Sequence, residues 1–268
     1  MTARHADKRV LLALAVTVAG LVAGCTADRP ADPTVTGTSG LVTPSAVAPV
    51  PAGSAASVTG VYAPSIDPAM FASTVDNPFF PLRPGMRWEY RSQTDEGVET
   101  TVVEVMHNTR TLMGVQCVEV RDTVRLDGKI IEDTLDWYAQ HRDGTVWYLG
   151  EDTKEYEGGK VVSTKGSWLA GVDGALPGIM MPAQPQIGER YRQEYYRGQA
   201  EDLAEVLATA EHAKVPTGSY DGVVMTKETN PLEPQLLERK YYARGVGPVL
   251  TVDVAGGGVR DELISFTG

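Results

Sequence analysis

Two cysteine thiols, Cys25 and Cys117, are the side chains whose chemistry is most clearly suggested by their position in this 268-residue chain. A thiol can form a thioether or a disulfide, bind a metal or act as a nucleophile. Cys25 follows a run of apolar and small residues, 10–23, which is preceded by a polar, basic segment, residues 1–9. The run is shorter than the roughly 20 residues that cross a membrane. Its length and flanks predict a cleaved export signal over residues 1–24.

The residues Val22, Ala23, Gly24 and Cys25 resemble the lipobox of bacterial lipoproteins. In that family a small residue precedes an invariant cysteine, which receives a diacylglycerol thioether and can then be acylated, for example with palmitate. The resemblance implies that Cys25 is lipidated and that acyl chains hold the mature protein at the extracytoplasmic face of the cell membrane. An ordinary export signal followed by a chance cysteine is the alternative.

Lipidation of Cys25 leaves Cys117 without a partner for a disulfide in this chain. Cys117 lies in an apolar, strand-like run, residues 115–120, and the sequence shows no neighbour that would activate its thiol. We expect Cys117 to be a buried and unreactive side chain.

The chain is acidic, with a formal charge of −11 at pH 7. Residues 1–24 carry three basic side chains and one acidic side chain, so their removal takes the charge to −13. An acidic surface repels phosphate groups, which argues against nucleic acid as a partner. The same charge favours solubility, and it would also suit a cationic partner or divalent ions.

The composition changes sharply along the chain. Residues 26–60 are rich in Pro, Ser, Thr, Ala and Gly and contain few large apolar side chains, so they cannot bury enough surface to fold. We expect residues 25–69 to comprise the lipidated cysteine and a flexible tether that reaches roughly 30–35 Å on average. Residues 70–268 are then predicted to form a single antiparallel β domain.

Short apolar segments separated by turn residues predict the strands of this domain. The pairs Asp127-Gly128 and Asp143-Gly144 favour two-residue hairpin loops, and Gly158-Gly159 is a third candidate. These turns are about 15 residues apart, which leaves no room for crossover helices. The predicted fold is mainly β: a curved antiparallel sheet, as a half-barrel or a β-sandwich meander, with little helix.

A two-residue loop at Asp143-Gly144 would pair Tyr138 with Leu149. Trp137 and Tyr148 would then share one face of the sheet as diagonal neighbours. Both faces of this hairpin would carry large apolar side chains. In a sheet with one solvent-exposed face, apolar and polar residues alternate along each strand. We therefore expect the hairpin to be covered on both faces, or to line a cavity with one of them.

Two segments depart from the strand pattern. Residues 166–185 combine many glycines and prolines with large apolar side chains, and a loop of this length is uncommon unless it is functional or packed as a lid. Residues 200–214 favour helix by propensity. Val206, Ala208 and Ala210 also alternate in that segment, so helix and strand both remain open.

Several short sequence segments over roughly residues 76–254 resemble those of a family of uncharacterised exported bacterial proteins. That family brings no established activity and no site residues. Residues 215–220 and 242–247, Val-Pro-Thr-Gly-Ser-Tyr and Tyr-Ala-Arg-Gly-Val-Gly, also resemble half-barrel domains similar to bacterial lipoprotein carriers. Such domains wrap a curved antiparallel sheet around an apolar cavity, so the likeness favours a strand over residues 204–213. The segments that resemble the family of exported proteins include residues 76–82, 132–140, 146–151, 166–168, 171–175, 191–196, 215–220 and 240–247.

Residues with the spacing of a catalytic or metal site are not evident. Outside the export signal, His107, His141 and His212 are far apart and match no zinc-binding pattern. The chain contains no nucleophile elbow and no phosphate loop with the required spacing. We therefore predict no catalytic residue, no metal site and no cofactor.

Trp137, Tyr148 and Trp168 are the candidate ligand-binding residues. The leading hypothesis is a non-enzymatic, lipid-anchored envelope protein whose curved sheet encloses a cavity lined by these aromatic side chains, with residues 166–185 as a partial lid. The ligand would be apolar or amphipathic, and a cavity of about 300 Å³ or more is required.

Two alternatives remain at the level of the sequence. A structural or protein-interaction lipoprotein would have a filled core and an exposed apolar patch. An envelope hydrolase would have a cleft with converging acidic residues, and Asp133, Asp136, Glu151 and Asp152 flank the aromatic hairpin. Their separation cannot be read from the sequence.

Overall fold

The computed structural model of the protein describes residues 61–255 and 257–268. It is mainly β, with 64% strand and essentially no helix, and its strands form one curved antiparallel sheet of 14 strands that does not close into a barrel. This architecture confirms the predicted fold class. The export signal, Cys25 and most of the predicted tether lie outside the described residues.

Regular structure in the described part consists of these strands and one turn of 3-10 helix, Pro68–Met70. The Asp67 side chain caps the turn by accepting a hydrogen bond from the N–H of Ala69 at 3.0 Å. No helix among the described residues combines the length and the apolar character needed to cross a membrane. The strands are β1 Arg87–Gln93, β2 Val98–Leu112, β3 Val115–Leu126, β4 Lys129–Gln140, β5 Val146–Glu157, β6 Lys160–Ser163, β7 Trp168–Leu169, β8 Gly178–Met181, β9 Arg190–Arg192, β10 Leu203–Val215, β11 Gly218–Asn230, β12 Glu233–Ala243, β13 Gly247–Asp253 and β14 Val259–Thr267.

The first and last strands lie side by side in the middle of the sheet. The strand order is β6-β5-β4-β3-β2-β1-β14-β13-β12-β11-β10-β9, and β7 and β8 both pair with β5. Each half of the sheet is therefore a meander that runs outward from the β1–β14 pair. The curvature brings the two halves to face each other across a shared interior.

Two of the three predicted hairpin turns form as expected. Asp127-Gly128 and Gly158-Gly159 are two-residue loops, with φ of 47° and 80° in the first and 58° and 78° in the second. Loops with positive φ at both positions match the right-handed twist of the flanking strands.

The third turn differs from the prediction. The β4–β5 hairpin has a three-residue loop, Arg142-Asp143-Gly144, which Gly144 closes with a φ of 100°. A loop of this length is the next most common hairpin connection, and its last position also favours glycine. The register is shifted by one residue, so Tyr138 lies opposite Tyr148 and not opposite Leu149.

This shift makes the expected placement of Trp137 and Tyr148 on one face wrong. Tyr148 stacks on Tyr138, with 4.6 Å between the ring centroids. Trp137 points to the opposite face, where its indole N–H donates to Glu119 at 3.1 Å. A one-residue slip moves every side chain of a strand to the other face. Both faces of the hairpin are nevertheless buried, as predicted.

Residues 203–215 form strand β10, not a helix. Its backbone pairs with β9 on one side and β11 on the other, and Ala204 and Val206 are buried. Pairing on both edges outweighs a helix propensity that amounts to a few tenths of a kcal/mol per residue.

The segment before β1 lies between the two halves of the sheet. The Phe80 ring is 5.4 Å from that of Tyr138 on β4 and 6.5 Å from that of Tyr242 on β12. The side-chain oxygen of Gln140 accepts a hydrogen bond from the N–H of Asn77 at 2.8 Å, which holds the segment in place. Phe80 thus joins the two halves.

Tyr62 packs against the domain within the segment expected to be a tether. Its hydroxyl donates to the Pro177 carbonyl at 2.7 Å, and its ring lies 5.3 Å from that of Tyr195. Contacts with the domain therefore begin upstream of residue 70.

Cys117 is fully buried on β3, as predicted. Its thiol donates to the Val115 carbonyl at 3.5 Å. Burial raises the pKa of this thiol to about 12, which keeps it protonated and poorly nucleophilic near neutral pH.

Candidate functional site

A cleft of about 360 Å³ lies beside β5, between β7 and the segments that follow β7 and β9. Its volume is above the roughly 300 Å³ from which ligand sites usually start. We call it the Trp168 cleft. It is lined by Arg110, Glu151, Asp152, Ser167, Trp168, Leu169, Val172, Asp173 and Tyr196.

A glycine in β5 allows β7 to form one wall of this cleft. A Cβ atom at Gly150 would lie 2.5 Å from the carbonyl oxygen of Trp168, and the φ of Gly150 is 146°. Leu169 pairs with Gly150, and Trp168 pairs with Glu151. Residues directly opposite each other in antiparallel strands share a face, so Trp168 and Glu151 lie side by side.

The cleft runs from a buried floor to an exposed rim. Trp168 and Glu151 are 4% and 1% exposed, whereas Val172 is 49% exposed. Apolar and charged side chains both contribute to its walls. The apolar or aromatic ones are Trp168, Leu169, Val172 and Tyr196, and the charged ones are Arg110, Glu151, Asp152 and Asp173.

The three aromatic residues predicted to bind a ligand do not line one cavity. Trp168 lines the cleft. Tyr148 lies behind it, with its ring edge-on to Trp168 at 5.3 Å. Trp137, on the other face, supports the wall indirectly, because the Arg110 guanidinium lies 4.1 Å from its ring in a cation–π contact.

The segment expected to be a lid divides into two parts. Residues 167–173 contribute a wall of the cleft. Residues 178–181 instead form β8 and pair with β5. Gly178 approaches the residue that follows β9 so closely that a Cβ there would lie 1.9 Å from the Gln193 carbonyl oxygen. This second part belongs to the sheet, so the lid prediction is wrong for it.

Glu151 is buried at the cleft floor without a hydrogen-bond partner for either carboxyl oxygen among the described residues. Burial raises its pKa well above the usual range, and the nearby Glu194 and Asp136 carboxyls raise it further. An unpartnered buried polar group costs free energy. The Glu151 carboxyl is therefore a buried polar group whose hydrogen bonds are not satisfied by the described residues.

Glu151 belongs to a larger set of buried acidic side chains, which we call the acidic interior. The described residues contain twelve buried Asp and Glu side chains but only one buried Lys and no buried Arg. Such groups are seldom buried without partners. The set comprises Glu99, Asp122, Glu132, Asp136, Glu151, Glu194, Asp202, Glu228, Glu233, Glu238, Asp253 and Asp261.

Lys240 is the buried cation of this interior. Its Nζ lies 2.8 Å from a Glu228 carboxyl oxygen and 3.8 Å from one of Glu238. The other Glu228 oxygen accepts hydrogen bonds from the hydroxyls of Thr226 and Tyr242, each at 2.9 Å. These contacts satisfy both oxygens of Glu228, while one lysine cannot neutralise the remaining acids.

Burial leaves several of these carboxyls ready to exchange protons near neutral pH. It raises the pKa of Glu132, Asp136 and Glu238 to about 7 and that of Asp261 to about 8. A group that titrates in this range can act as a general acid or base or can release a proton when a cation binds.

The acidic interior does not form a metal site in the described residues. No group of three or more His, Cys, Asp or Glu side chains there is arranged to hold a metal ion. A cavity of about 30 Å³ lies between Asp122 and Lys240, beneath the Phe80 segment. That space suffices for one or two water molecules.

No family model matches the chain, and no curated protein matches it. One solved structure, from Parabacteroides distasonis ATCC 8503, is described as a putative lipoprotein. It is 13% identical and covers 71% of this chain and 99% of its own, with a TM-score of 0.39. At that TM-score the likeness carries no argument. The lipobox and the resemblance to exported families are not confirmed by these comparisons.

Proposed function

We propose that this protein is a lipid-anchored envelope protein that binds a small amphipathic ligand, without chemical conversion, in the Trp168 cleft. The observation that carries the proposal is a cleft above 300 Å³ whose lining combines apolar and aromatic side chains with charged ones. The lipid on Cys25 is the predicted anchor.

The lining of the cleft suits an amphipathic ligand, which has an apolar end and a polar end. Trp168, Leu169 and Val172 offer apolar contacts. Asp152 and Asp173 offer charged groups in the same cleft. Ligand sites are commonly apolar pockets with a few polar groups that fix the orientation of the ligand.

Binding of N-phenyl-1-naphthylamine, an apolar dye whose fluorescence rises out of water, tests this proposal. We would use the mature chain with Cys25→Ser, which should need no detergent. Val172→Lys should weaken dye binding about tenfold, because it places a charge at the rim of the cleft. Val162→Lys is the matched control, since Val162 on β6 is 50% exposed and Val172 is 49% exposed.

Equal loss with both variants, or no dye binding by the parent chain, would remove the support for a ligand site. A structural or protein-interaction role would then become the better hypothesis. Lipid or other small molecules retained in native mass spectrometry of the mature chain would support the site independently.

An envelope hydrolase is a second candidate, favoured by one observation. The carboxyls of Asp136, Glu151 and Glu194 lie close to one another: Glu194 and Asp136 both raise the pKa of Glu151, and Asp136 also raises that of Glu194. Glu151 is one of the residues that line the cleft. Chromogenic glycosides and esters are the substrates to test. Turnover that is lost in Glu151→Gln would favour the hydrolase over the binding protein.

A further inference from the structure

We propose that the polar end of the ligand in the Trp168 cleft is an anionic oxygen group, a carboxylate or a phosphate, which the guanidinium of Arg110 binds. This inference rests on the proposed function and names the chemical class of the ligand. Among the described residues, Arg110 on β2 is the one basic side chain that lines the cleft. An arginine suits this role because its planar fork of N–H donors matches both kinds of anion.

The hydrogen-bond donors of Arg110 are not used by the protein. A guanidinium carries five N–H donors, and no described residue accepts a hydrogen bond from the Arg110 side chain or forms an ion pair with it. Its nitrogens are also not among the unpartnered side-chain atoms that burial closes off from solvent, whereas both carboxyl oxygens of Glu151 are. The guanidinium is therefore accessible, and its donors are available to a ligand.

Trp137 holds this guanidinium beside the cleft. The Cζ atom of Arg110 lies 4.1 Å from the centroid of the Trp137 ring. The ring is fixed, because it is 2% exposed and its indole N–H donates to Glu119 at 3.1 Å. Arg110 lines the cleft and Trp137 does not, which places the arginine side chain on the cleft side of the ring. A cation–π contact of this kind orients a guanidinium and leaves its N–H donors without an oxygen acceptor.

The acidic side chains that line the cleft do not neutralise Arg110. Asp152 is paired with Lys154, with 2.7 Å between the Lys154 Nζ and a carboxyl oxygen. Burial raises the pKa of Glu151 well above its usual range, which favours its neutral acid. Asp173 lies on the exposed turn after β7, where solvent and salt screen its charge. An anion that reaches Arg110 therefore meets a positive charge that no described side chain compensates.

The apolar end of the ligand has a place in the same cleft. Trp168, Leu169 and Val172 line it together with Arg110. An alkyl chain against these three side chains and an anionic group on the guanidinium would match both parts of the lining. A neutral head group would gain no ion pair with Arg110, and a cationic head group would be repelled by it.

Displacement of N-phenyl-1-naphthylamine by four octyl compounds tests the charge preference on the mature Cys25→Ser chain near neutral pH. Octanoate or octyl phosphate should bind about tenfold more tightly than 1-octanol, and octylammonium should bind more weakly than 1-octanol. Tighter binding of octanoate assigns a carboxylate ligand, and tighter binding of octyl phosphate assigns a phosphate. Added salt should weaken the binding of the anions and not that of 1-octanol, because salt screens the attraction to Arg110.

Arg110→Met removes the charge and keeps an apolar side chain beside the Trp137 ring. It should reduce the binding of both anions to the level of 1-octanol and leave 1-octanol within about twofold of its affinity for the parent chain. Unchanged binding of 1-octanol would also show that the cleft is intact. Arg244→Met is the matched control, because the Arg244 guanidinium lies 4.7 Å from the Phe79 ring in another cation–π contact but does not line the cleft.

Equal affinity of the parent chain for the octyl anions and 1-octanol, or an anion preference that survives in Arg110→Met, would overturn the inference and leave the binding function intact. If Arg110→Met does not fold, the salt dependence of the parent chain decides, and anion binding that is independent of salt would overturn the inference. Failure of all four compounds to displace the dye would count against the proposed function itself.

Discussion

The hydroxyl of Tyr148 donates a 2.5 Å hydrogen bond to Asp136, and both side chains are fully buried. Burial raises the pKa of Asp136 to about 7, and this hydrogen bond offsets part of the rise. Tyr148 also contacts Trp168 with its ring. The pair therefore connects the aromatic floor of the cleft with the acidic interior behind it.

Tyr148→Phe should lower the free energy of unfolding by about 1–3 kcal/mol, because it leaves the Asp136 carboxyl without its buried donor. Urea denaturation at pH 6 measures the loss. Tyr241→Phe, at a half-buried tyrosine on β12, is the control and should change stability by less than about 0.5 kcal/mol. Similar losses in both variants would show that the Asp136 contact contributes little.

The folded domain should lose stability as the pH rises from about 5 to 9. The pKa of Asp261 is about 8 in the folded protein, against an ordinary value of 3.8, so the folded state holds a proton that the unfolded chain releases. The resulting stabilisation is fully present below about pH 4 and disappears as the pH rises through 8. Thermal unfolding should show a midpoint several degrees lower at pH 8.5 than at pH 5.5.

Asp261→Asn should flatten that pH dependence and raise the midpoint at pH 8.5, since the amide carries no proton to lose. Asp95→Asn, on the exposed β1–β2 turn, should keep the parent profile. An unfolding midpoint of the parent chain that rises with pH would contradict the inference that buried carboxyls are neutral in the folded state.

Lys240→Met should destabilise the domain by about 3–5 kcal/mol, because it leaves Glu228 and Glu238 buried without their cation. Guanidinium denaturation at pH 7 measures the change. Lys160→Met on the exposed edge strand β6 should be nearly neutral. A Lys240→Met chain as stable as the parent would mean that the contacts of Lys240 with these glutamates contribute little to stability.

Gly150→Ala should displace β7 and weaken dye binding in the Trp168 cleft. The added methyl group would lie 2.5 Å from the Trp168 carbonyl oxygen, in backbone that cannot easily move aside. Gly159→Ala meets no atom within 4 Å and should cost only the left-handed strain of about 1–2 kcal/mol, with dye binding retained. Unchanged binding in Gly150→Ala would argue that β7 does not shape the cleft.

Cys25→Ala should release the protein from membranes into the soluble fraction, because the net charge of the mature chain is negative and anionic lipid would repel it. Fractionation of cells that express the tagged chain measures this. Cys117→Ala should leave the protein on the membrane. A Cys25→Ala chain that stays membrane-bound would exclude lipid on Cys25 as the anchor.

The fold was largely predictable because its signals are local. Alternating residues and turn pairs such as Asp127-Gly128 identify each hairpin without knowledge of the rest of the chain. The register of β4 and β5 was not predictable from the same signal, since Asp143-Gly144 can close a loop of two or three residues. The Asp143 carboxyl, which accepts a hydrogen bond from the N–H of Thr145 at 2.8 Å, favours the longer loop.

The cleft and the acidic interior were much less predictable. In β4, Asp136 is fully buried while the neighbouring Leu135 is half-buried on the other face, which reverses the usual rule that the apolar residues of a strand face inward. Only the curvature of the sheet, which brings β4 opposite β12, shows that this polar face is enclosed. Trp168 was identified by its type, but its pairing with Glu151 depends on a strand of two residues.

The pairing of β1 with β14 has a consequence for how the chain reaches its native state. Arg87 on β1 lies opposite Thr267 on β14. One edge of β1 therefore stays unpaired until β14 has been synthesised. Contacts this distant in sequence slow folding and leave an open edge on which other chains can add. We expect the arrival of the C-terminal strand to complete the domain, and chains that end before residue 259 to aggregate through β1.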